Sequence, residues 1–411
     1  MILRPYEADK DQQAVHRLWE EVHWIDRGDE DDREFLDSFL SSCRALVAEV
    51  NGAAECLVAS APGNILHLET EHSLAIVASV ATSLVARKLG LASRLTARLV
   101  AEDAQEGYGT SALGMFEQGY YSRLGFGTGP YEHKNTFNPA HLTVPVKAGV
   151  PFRLTEKDFA DVHSALMKRW RSHGSVNVFP PEHAHAELGW TDNPCGFGFH
   201  DASGELTHFI WGEMKDEYGP YLINILAYRN QEQFLELLAL IKSLGDQIYT
   251  VKLLEPVHVQ LQDLISEPFK GQNTTRGGKY AIINRAEAFW QLRINDLPGC
   301  LAKTHLPDRP TVSFNLTLSD PISQYLDGEQ PWQGIAGEYT IHLGSDCQAK
   351  IGHSKGLDNL QASVAGFSRL WLGCASATAI AMAGEIKATQ ELLNSLEKTL
   401  SLPLPRTGWE F

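Results

Sequence analysis

The stretch Leu74–Ser93, reading L-A-I-V-A-S-V-A-T-S-L-V-A-R-K-L-G-L-A-S, constrains this chain more than any other. Its first half is an unbroken run of small and β-branched apolar residues, which suits a strand covered on both faces. Its second half turns basic at Arg87 and Lys88, supplies Gly90, and enters an amphipathic helix marked by Leu91, Leu95, Leu99 and Val100. A strand that feeds a helix through such a turn makes an anion cradle. Unpaired N–H groups at the helix start converge on a phosphate, and Gly90 and Ala92 keep side chains out of the approach.

With 411 residues the chain has room for two or three domains, and its 43% hydrophobic and 21% charged content suit an ordinary globular protein. No apolar run reaches the roughly 18–20 residues of a membrane span. The opening M-I-L-R-P-Y-E lacks the basic-then-apolar order of a signal peptide, so a cytoplasmic location is expected. The six cysteines are scattered, without a C-x-x-C pair, and read as small buried hydrophobes. His183 and His185 have no visible third partner, and no metal is expected. A formal net charge of −16 argues against nucleic acid as a partner and favours cations. The acid-rich run Asp26 to Asp37 either keeps the surface soluble or draws polyamines or aminoglycosides into a cleft.

Along the chain, Ile2–Arg4 is a strand, followed by a helix with Val15, Leu18, Trp19 and Val22 on its apolar face and a second helix near Arg33–Ser41. Asn51-Gly52 joins two apolar runs, Ala45–Val50 and Ala53–Ser60, as a β-hairpin. The central strand and helix come next, then a strand at Ser111–Met115 and F-E-Q-G-Y-Y-S-R-L-G-F-G. From Phe152 the pattern begins again, with a strand-to-helix turn, a hairpin around Asp201–Gly204, a strand at Tyr221–Ala227 and a helix at Gln231–Leu244. In this second round the loop reads Y-R-N-Q-E-Q-F. It lacks the glycine, and Glu232 would repel phosphate. Near Phe289 the composition shifts to F-W-Q-L-R-I-N-D-L-P, then to alternating strands and apolar helices, an α+β layer.

The basic turn resembles the pyrophosphate loop of the GNAT acetyltransferases. The order of A-R-K-L-G-L-A-S-R-L, E-Q-G-Y-Y-S-R-L-G-F-G, F-W-Q-L-R-I-N-D-L-P, Asp320-Pro321 and an aromatic chain end resembles the enhanced intracellular survival (Eis) acetyltransferases across essentially the whole chain. That resemblance implies an α+β fold of two GNAT-like mixed-sheet domains in tandem, followed by a sterol-carrier-protein-like domain. The boundaries are 1–145 for a catalytic domain, 146–285 for a degenerate copy and 286–411 for the third domain. It also implies an acetyl-CoA-dependent N-acetyltransferase acting on primary amines of cationic acceptors such as aminoglycosides, assembled as a homo-hexamer.

Carried over residue by residue, the resemblance puts acetyl-CoA against Val80, Ala81 and Thr82, then Lys88, Leu89, Gly90, Leu91, Ala92 and Ser93, and finally Phe116 and Glu117. A strand that splays from its neighbour leaves amides free for the pantetheine arm. Tyr121 takes the role of general acid, protonating the departing thiolate. Tyr120 is its competitor; if the segment is a strand, the two point to opposite faces. The family's general base is the C-terminal carboxylate, here that of Phe411. Glu410 helps hold a cationic amine, and Trp24 and Asp26 are a pocket wall and an ammonium contact; their plain reading is a core aromatic and a solvated acid. The basic turn departs from the family in having Val85 and Ala86 before a single Arg-Lys pair, where relatives carry a proline and more cations. No cysteine stands in the motif, so transfer would be direct. The alternatives are a lipid carrier with the GNAT fold as scaffold, A-T-A-I-A-M-A-G lining its tunnel, and an acetyltransferase acting on protein lysines.

Overall fold

The computed structural model describes residues 1–266, 278–279 and 281–411. The first part of the chain runs β1 (Ile2–Pro5), α1 (Ala8–Glu21), α2 (Glu30–Ser41), β2 (Arg44–Val50), β3 (Ala53–His67), β4 (Thr70–Thr82), α3 (Leu91–Gln105), β5 (Thr110–Gly114), α4 (Gln118–Ser122), β6 (Gly127–Thr128) and β7 (Glu132–Phe137). The middle part runs β8 (Phe152–Leu154), α5 (Phe159–Met167), β9 (Val176–Val178), α6 (Pro181–Gly189), β10 (Pro194–His200), β11 (Leu206–Met214), β12 (Tyr221–Ala227), α7 (Gln231–Ser243), β13 (Val251–Leu254) and β14 (Ile283–Glu287). The last part runs β15 (Trp290–Ile294), α8 (Leu297–Ala302), β16 (Val312–Ser319), β17 (Gly337–Leu343), β18 (Gln348–Ile351), β19 (Asn359–Ser363), α9 (Val364–Trp371), α10 (Ala377–Met382), β20 (Ile386–Lys387) and α11 (Gln390–Thr399).

Local chemistry explains the early elements. Asn51 and Gly52 both have positive φ (53° and 85°), as a two-residue hairpin turn demands. The acid run begins a helix: the Asp29 carboxylate accepts the N–H groups of Asp31 and Asp32 at 3.0 and 3.2 Å, and α2 starts at Glu30, earlier than the periodicity predicts. Val15, Leu18 and Trp19 of α1 pack with Leu36 and Phe39 of α2 against one face of β2–β4, while Leu91, Leu95 and Leu99 of α3 pack against the other.

The fold is a mixed α+β one, with three sheets among the described residues. The first has the order β1-β2-β3-β4-β5-β15-β6, the second β14-β7-β13-β12-β11-β10-β8, and the third β18-β17-β16-β19-β20. Within the first sheet only β4 and β5 are parallel, joined through α3; within the second only β12 and β13 are, joined through α7. Taken from β1 and from β8, the two sheets therefore show the same succession of pair directions.

The sheets do not each draw on one continuous stretch of chain. β7, from the first part, lies between β13 and β14 in the second sheet, and β15, from the last part, inserts between β5 and β6 in the first. β9 adds a further link by pairing with β3, Val176 opposite Ile65 and Val178 opposite Gly63. No helix among the described residues is long and apolar enough to cross a membrane.

The three parts meet at a buried histidine cluster. His67 and His72 come from the β3–β4 hairpin, His173 from the loop before β9, and Trp371 from α9. His67 stacks on Trp371 with ring centroids 4.7 Å apart and bonds its carbonyl at 3.0 Å; His173 bonds the Leu372 carbonyl at 2.9 Å and accepts the Leu68 N–H. Burial, reinforced by the neighbouring His173, lowers His67 to about 3. Burial lowers His173 to about 4 and, with Lys303 and His305 adding to it, His72 to about 4. The unfolded chain titrates near 6.5, so below that pH it takes up protons that the folded chain refuses. Each pH unit then costs up to about 1.4 kcal/mol per histidine. The melting temperature is expected to hold steady above pH 7 and to fall steeply between pH 6.5 and 4; a flat profile across that window would contradict the cluster's neutrality.

Candidate active site

The site lies where the first sheet opens. β4 and β5 pair in parallel only from Leu74 opposite Thr110 to Val77 opposite Leu113. Past Val77, β4 bulges: three of its steps, Ala78 to Ala81, span two of β3, Ala59 to Leu57, and Ser79 takes a positive φ of 56°. β4 continues to Thr82 along β3 alone, while β5 ends at Gly114 and is held on its other side by β15. Val80, Ala81 and Thr82 therefore border a wedge, with no strand among the described residues on the side facing β5.

The helix that follows presents an open N-terminus. Gly90 is the N-cap of α3, with a φ of 72° that only glycine adopts freely, and no side chain caps the first turn. Lys88, Leu89 and Gly90 are exposed, Leu91 and Ser93 are buried, and Ala92 lies between these extremes. Lys88 itself has a positive φ of 64°, which curls the turn around the helix start. The corresponding helix of the second sheet is closed: the Asn230 side chain accepts the Gln233 N–H at 3.0 Å, and the Gln233 side chain accepts the Arg229 N–H at 2.8 Å. An anion would have to displace those side chains.

The last residue, Phe411, reaches this wedge. A methyl group built on Gly114 would overlap the backbone oxygen of Phe411, so the chain end sits directly against the end of β5. Glu410 before it pairs with Lys134 at 3.3 Å, and Trp409 is buried, its indole N–H donating to Glu187 at 3.0 Å. Phe116 stands almost fully exposed at 92%, and the Glu117 carboxylate accepts the Gly119 N–H at 3.0 Å as the N-cap of α4.

The segment carrying Tyr120 and Tyr121 is a helix, which corrects the strand reading. Glu117 caps it, and the Leu124 N–H returns to the Tyr121 carbonyl at 2.9 Å. The two rings are then about 100° apart around an axis rather than on opposite faces. Tyr121 is only 7% exposed, packed in the core under the wedge, and burial followed by the proximity of Tyr120 raises its phenol above the ordinary value. The Tyr120 hydroxyl is taken up differently, accepting the Ser93 hydroxyl at 3.0 Å.

A cavity of about 430 Å³ lies beside the chain end, floored by the second sheet. Trp190, Trp211 and Trp409 supply ring surface. Six carboxylates line it against three guanidinium groups, and the latter are committed: Arg169 to backbone carbonyls, Arg171 to Glu71, and Arg406 to Glu132. Trp24, 42% exposed, leads towards it through Trp19, at 5.1 Å, and Trp190, 5.4 Å further on. Asp26 is exposed, and its N–H donates to the Asp32 carboxylate at 2.9 Å. Burial, with the charges of Asp29, Asp26 and Asp192 behind it, holds the Asp32 carboxyl above its usual range, so the acid run and the cavity rim share one field. Trp190, Asp192, Trp211 and Gly114 escape a reading of the sequence because none belongs to a local pattern; only the fold brings them to the chain end.

Residues 3–129 match the family model described as an acetyltransferase (GNAT) domain. The N-terminal part of this chain is an N-acetyltransferase domain. No curated protein matches the chain by sequence. Three solved structures share its fold from end to end. A probable N-acyltransferase from Enterococcus faecalis V583 is 16% identical, with a TM-score of 0.79 over 100% of this chain and 99% of its own. A GCN5-related N-acetyltransferase from Anabaena variabilis is 14% identical, with a TM-score of 0.79 over 100% of both chains. Eis1 from Mycobacterium abscessus is 16% identical, with a TM-score of 0.78 over 100% of both.

The contact at Gly114 makes a prediction. Gly114→Ala forces an overlap of about 1–3 kcal/mol that the chain end relieves by moving away. Carboxypeptidase A should therefore release Phe411 about tenfold or more faster from the variant than from the wild type. Equal release rates would mean that Phe411 does not rest on β5.

Proposed function

We propose that the protein is an acetyl-CoA-dependent N-acetyltransferase that acetylates primary amines of cationic acceptors, aminoglycosides among them, by direct transfer. The observation that carries this reading is the convergence of three things at one wedge: the uncapped start of α3, the unpaired edge of β4 and the chain end against Gly114. The acidic, tryptophan-walled cavity beside that end supports a cationic acceptor, for which paired and unpaired carboxylates and ring faces are the expected contacts.

Acetyl-CoA would supply an acyl thioester, whose C–S bond breaks as the C–N bond to the amine forms. The open amides at Gly90–Ser93 would hold its pyrophosphate, and the edge of β4 at Val80–Thr82 its pantetheine amides. An N–H near Thr82 would stabilise the oxyanion. Tyr121, a phenol protonated through the neutral range and shifted further up by its burial, donates its proton to the departing sulfur. The carboxylate of Phe411 takes the first proton, which the ammonium must lose before it attacks; the second, lost from nitrogen once the C–N bond has formed, restores the Tyr121 phenol. Trp24, Asp26 and Glu410 would receive the rest of the acceptor.

The matching succession of pair directions in the first two sheets supports a tandem of GNAT-like units over 1–145 and 146–285, each contributing one strand or edge to its neighbour. The Asn230 cap supports the second copy's loss of ligand binding. The third sheet and its helices are the unit over 286–411 that we read as sterol-carrier-like.

Thiol release from acetyl-CoA in the presence of a panel of polyamines and aminoglycosides tests the reading. Turnover is expected with amines and not with the corresponding alcohols. Tyr121→Phe should lower kcat by about 10²–10⁴-fold while leaving acetyl-CoA binding in place. A few residues appended after Phe411 should abolish transfer; full activity with such a tag would remove the terminal carboxylate from the mechanism.

A further inference from the structure

We infer that Arg169 and Trp409 form a latch by which the second sheet's unit holds the chain end in the active site. Arg169 is thus a positioning residue for the reaction. This inference rests on the reading of the Phe411 carboxylate as the base.

Arg169 follows α5 and is only 7% exposed. Burying a guanidinium costs several kcal/mol unless its donors are matched, and it ordinarily brings a carboxylate with it. Arg169 has no carboxylate partner among the described residues. Its donors go instead to four oxygens: the Leu166 carbonyl and the Asn177 side chain, each at 2.7 Å, the Val176 carbonyl at 2.5 Å, and the Thr407 carbonyl at 3.4 Å. Its charged carbon lies 5.4 Å from the centre of the Trp409 ring. A cation so placed is held by dipoles and a π face, and two of those partners, Thr407 and Trp409, belong to the final five residues.

Several other contacts of the tail come from the same region of the chain, beside those to Glu132 and Lys134 of β7. The Val176 N–H donates to the Thr407 carbonyl at 2.9 Å, and the Arg406 N–H to the His173 carbonyl at 3.1 Å. Gly174 leaves room for Pro405 and Arg406 to pass, since any Cβ there would lie 2.6 Å from the Arg406 nitrogen. Glu187 of α6 takes the Trp409 indole proton. β9, which supplies Val176, is paired with β3 of the first sheet, so the tail is registered to the sheet whose wedge it enters.

A chain end is ordinarily frayed. A group that takes a proton in a transition state has to be held to within about 0.5 Å. The second GNAT-like unit, closed to phosphate by its own Asn230, serves as the jig that places the terminal carboxylate in another unit's site.

The full-length Arg169→Met and Trp409→Ala proteins test this by hydrogen–deuterium exchange of the C-terminal peptide, read beside steady-state kinetics. Exchange over residues 407–411 should quicken by about tenfold or more. The kcat should fall by about 100-fold, as for a catalytic group displaced by about 1 Å, with the KM for acetyl-CoA unchanged. Arg169→Lys, which keeps the charge but not the planar fork, should fall between the two. A C-terminal peptide as protected in both variants as in the wild type overturns the latch. A freed tail with wild-type turnover leaves the latch standing and refutes the terminal carboxylate as base. Should Arg169→Met fail to fold, Trp409→Ala carries the test through the exchange of the C-terminal peptide, because Trp409 lies in the tail itself.

Discussion

The architecture turns on a solvent-excluded ion pair between Arg293 of β15 and Asp320, the residue after β16. Both side chains are fully buried, 2.8 Å apart. Such a pair gains little over an apolar contact, but breaking it leaves a naked charge and costs about 3–5 kcal/mol. Each of its three nitrogens and both of its oxygens are bonded. Arg293 also bonds Asn295 and the Leu124 carbonyl and lies near the rings of Phe126 and Trp332, while Asp320 accepts the N–H groups of Ile322 and Ile335. The pair thereby locks β15 into the first sheet, seats the third sheet beside it, and fixes the carbonyl three residues beyond Tyr121.

The inserted strand has consequences for the wedge. β15 occupies the far edge of β5, so β5 is held rigidly although it parts from β4 after Val77. The Met115 N–H returns to the Phe289 carbonyl at 2.6 Å, which carries the same support one residue past the strand end. The opening is therefore a feature of two well-anchored strands, one tied to β3 and one to β15. Its third boundary is the tail, anchored in turn by the second unit through Arg169 and β9. The first sheet and the unit around the second thus both contribute to one site, with the uncapped start of α3 on the first and the capped start of α7 on the second.

Much of the local structure was legible from residue order. Asn51-Gly52 can make only a few turns, and it makes the hairpin expected of it. Gly90 before an amphipathic stretch reads as a helix start without a side-chain cap, and it is one. The strands Tyr221–Ala227 and Val312–Ser319 and the helix Gln231–Ser243 follow their periodicities closely. The tyrosine pair misled because aromatic residues suit strands; the Glu117 cap and a few returning backbone hydrogen bonds wind that short segment into a helix. The acid run, read as a surface or a lure for cations, opens α2 through Asp29, a role that depends on which acid falls at the helix boundary.

What the sequence determined by itself were the short-range choices, because backbone torsion, capping and side-chain period act over a few residues. Tertiary structure alone decided that strands 132–137 and 290–294 would cross into sheets other than those of their neighbours in the chain. It also decided that a guanidinium near residue 169 would find carbonyls from residues 166, 176 and 407. The location of the cavity and the resting place of Phe411 were likewise settled there. Of such pairings, that of Arg169 with Thr407 joins residues 238 positions apart. Their selection depends on which burial leaves no charge or amide unmatched once the sheets have packed, a condition on the whole molecule that no window of sequence contains.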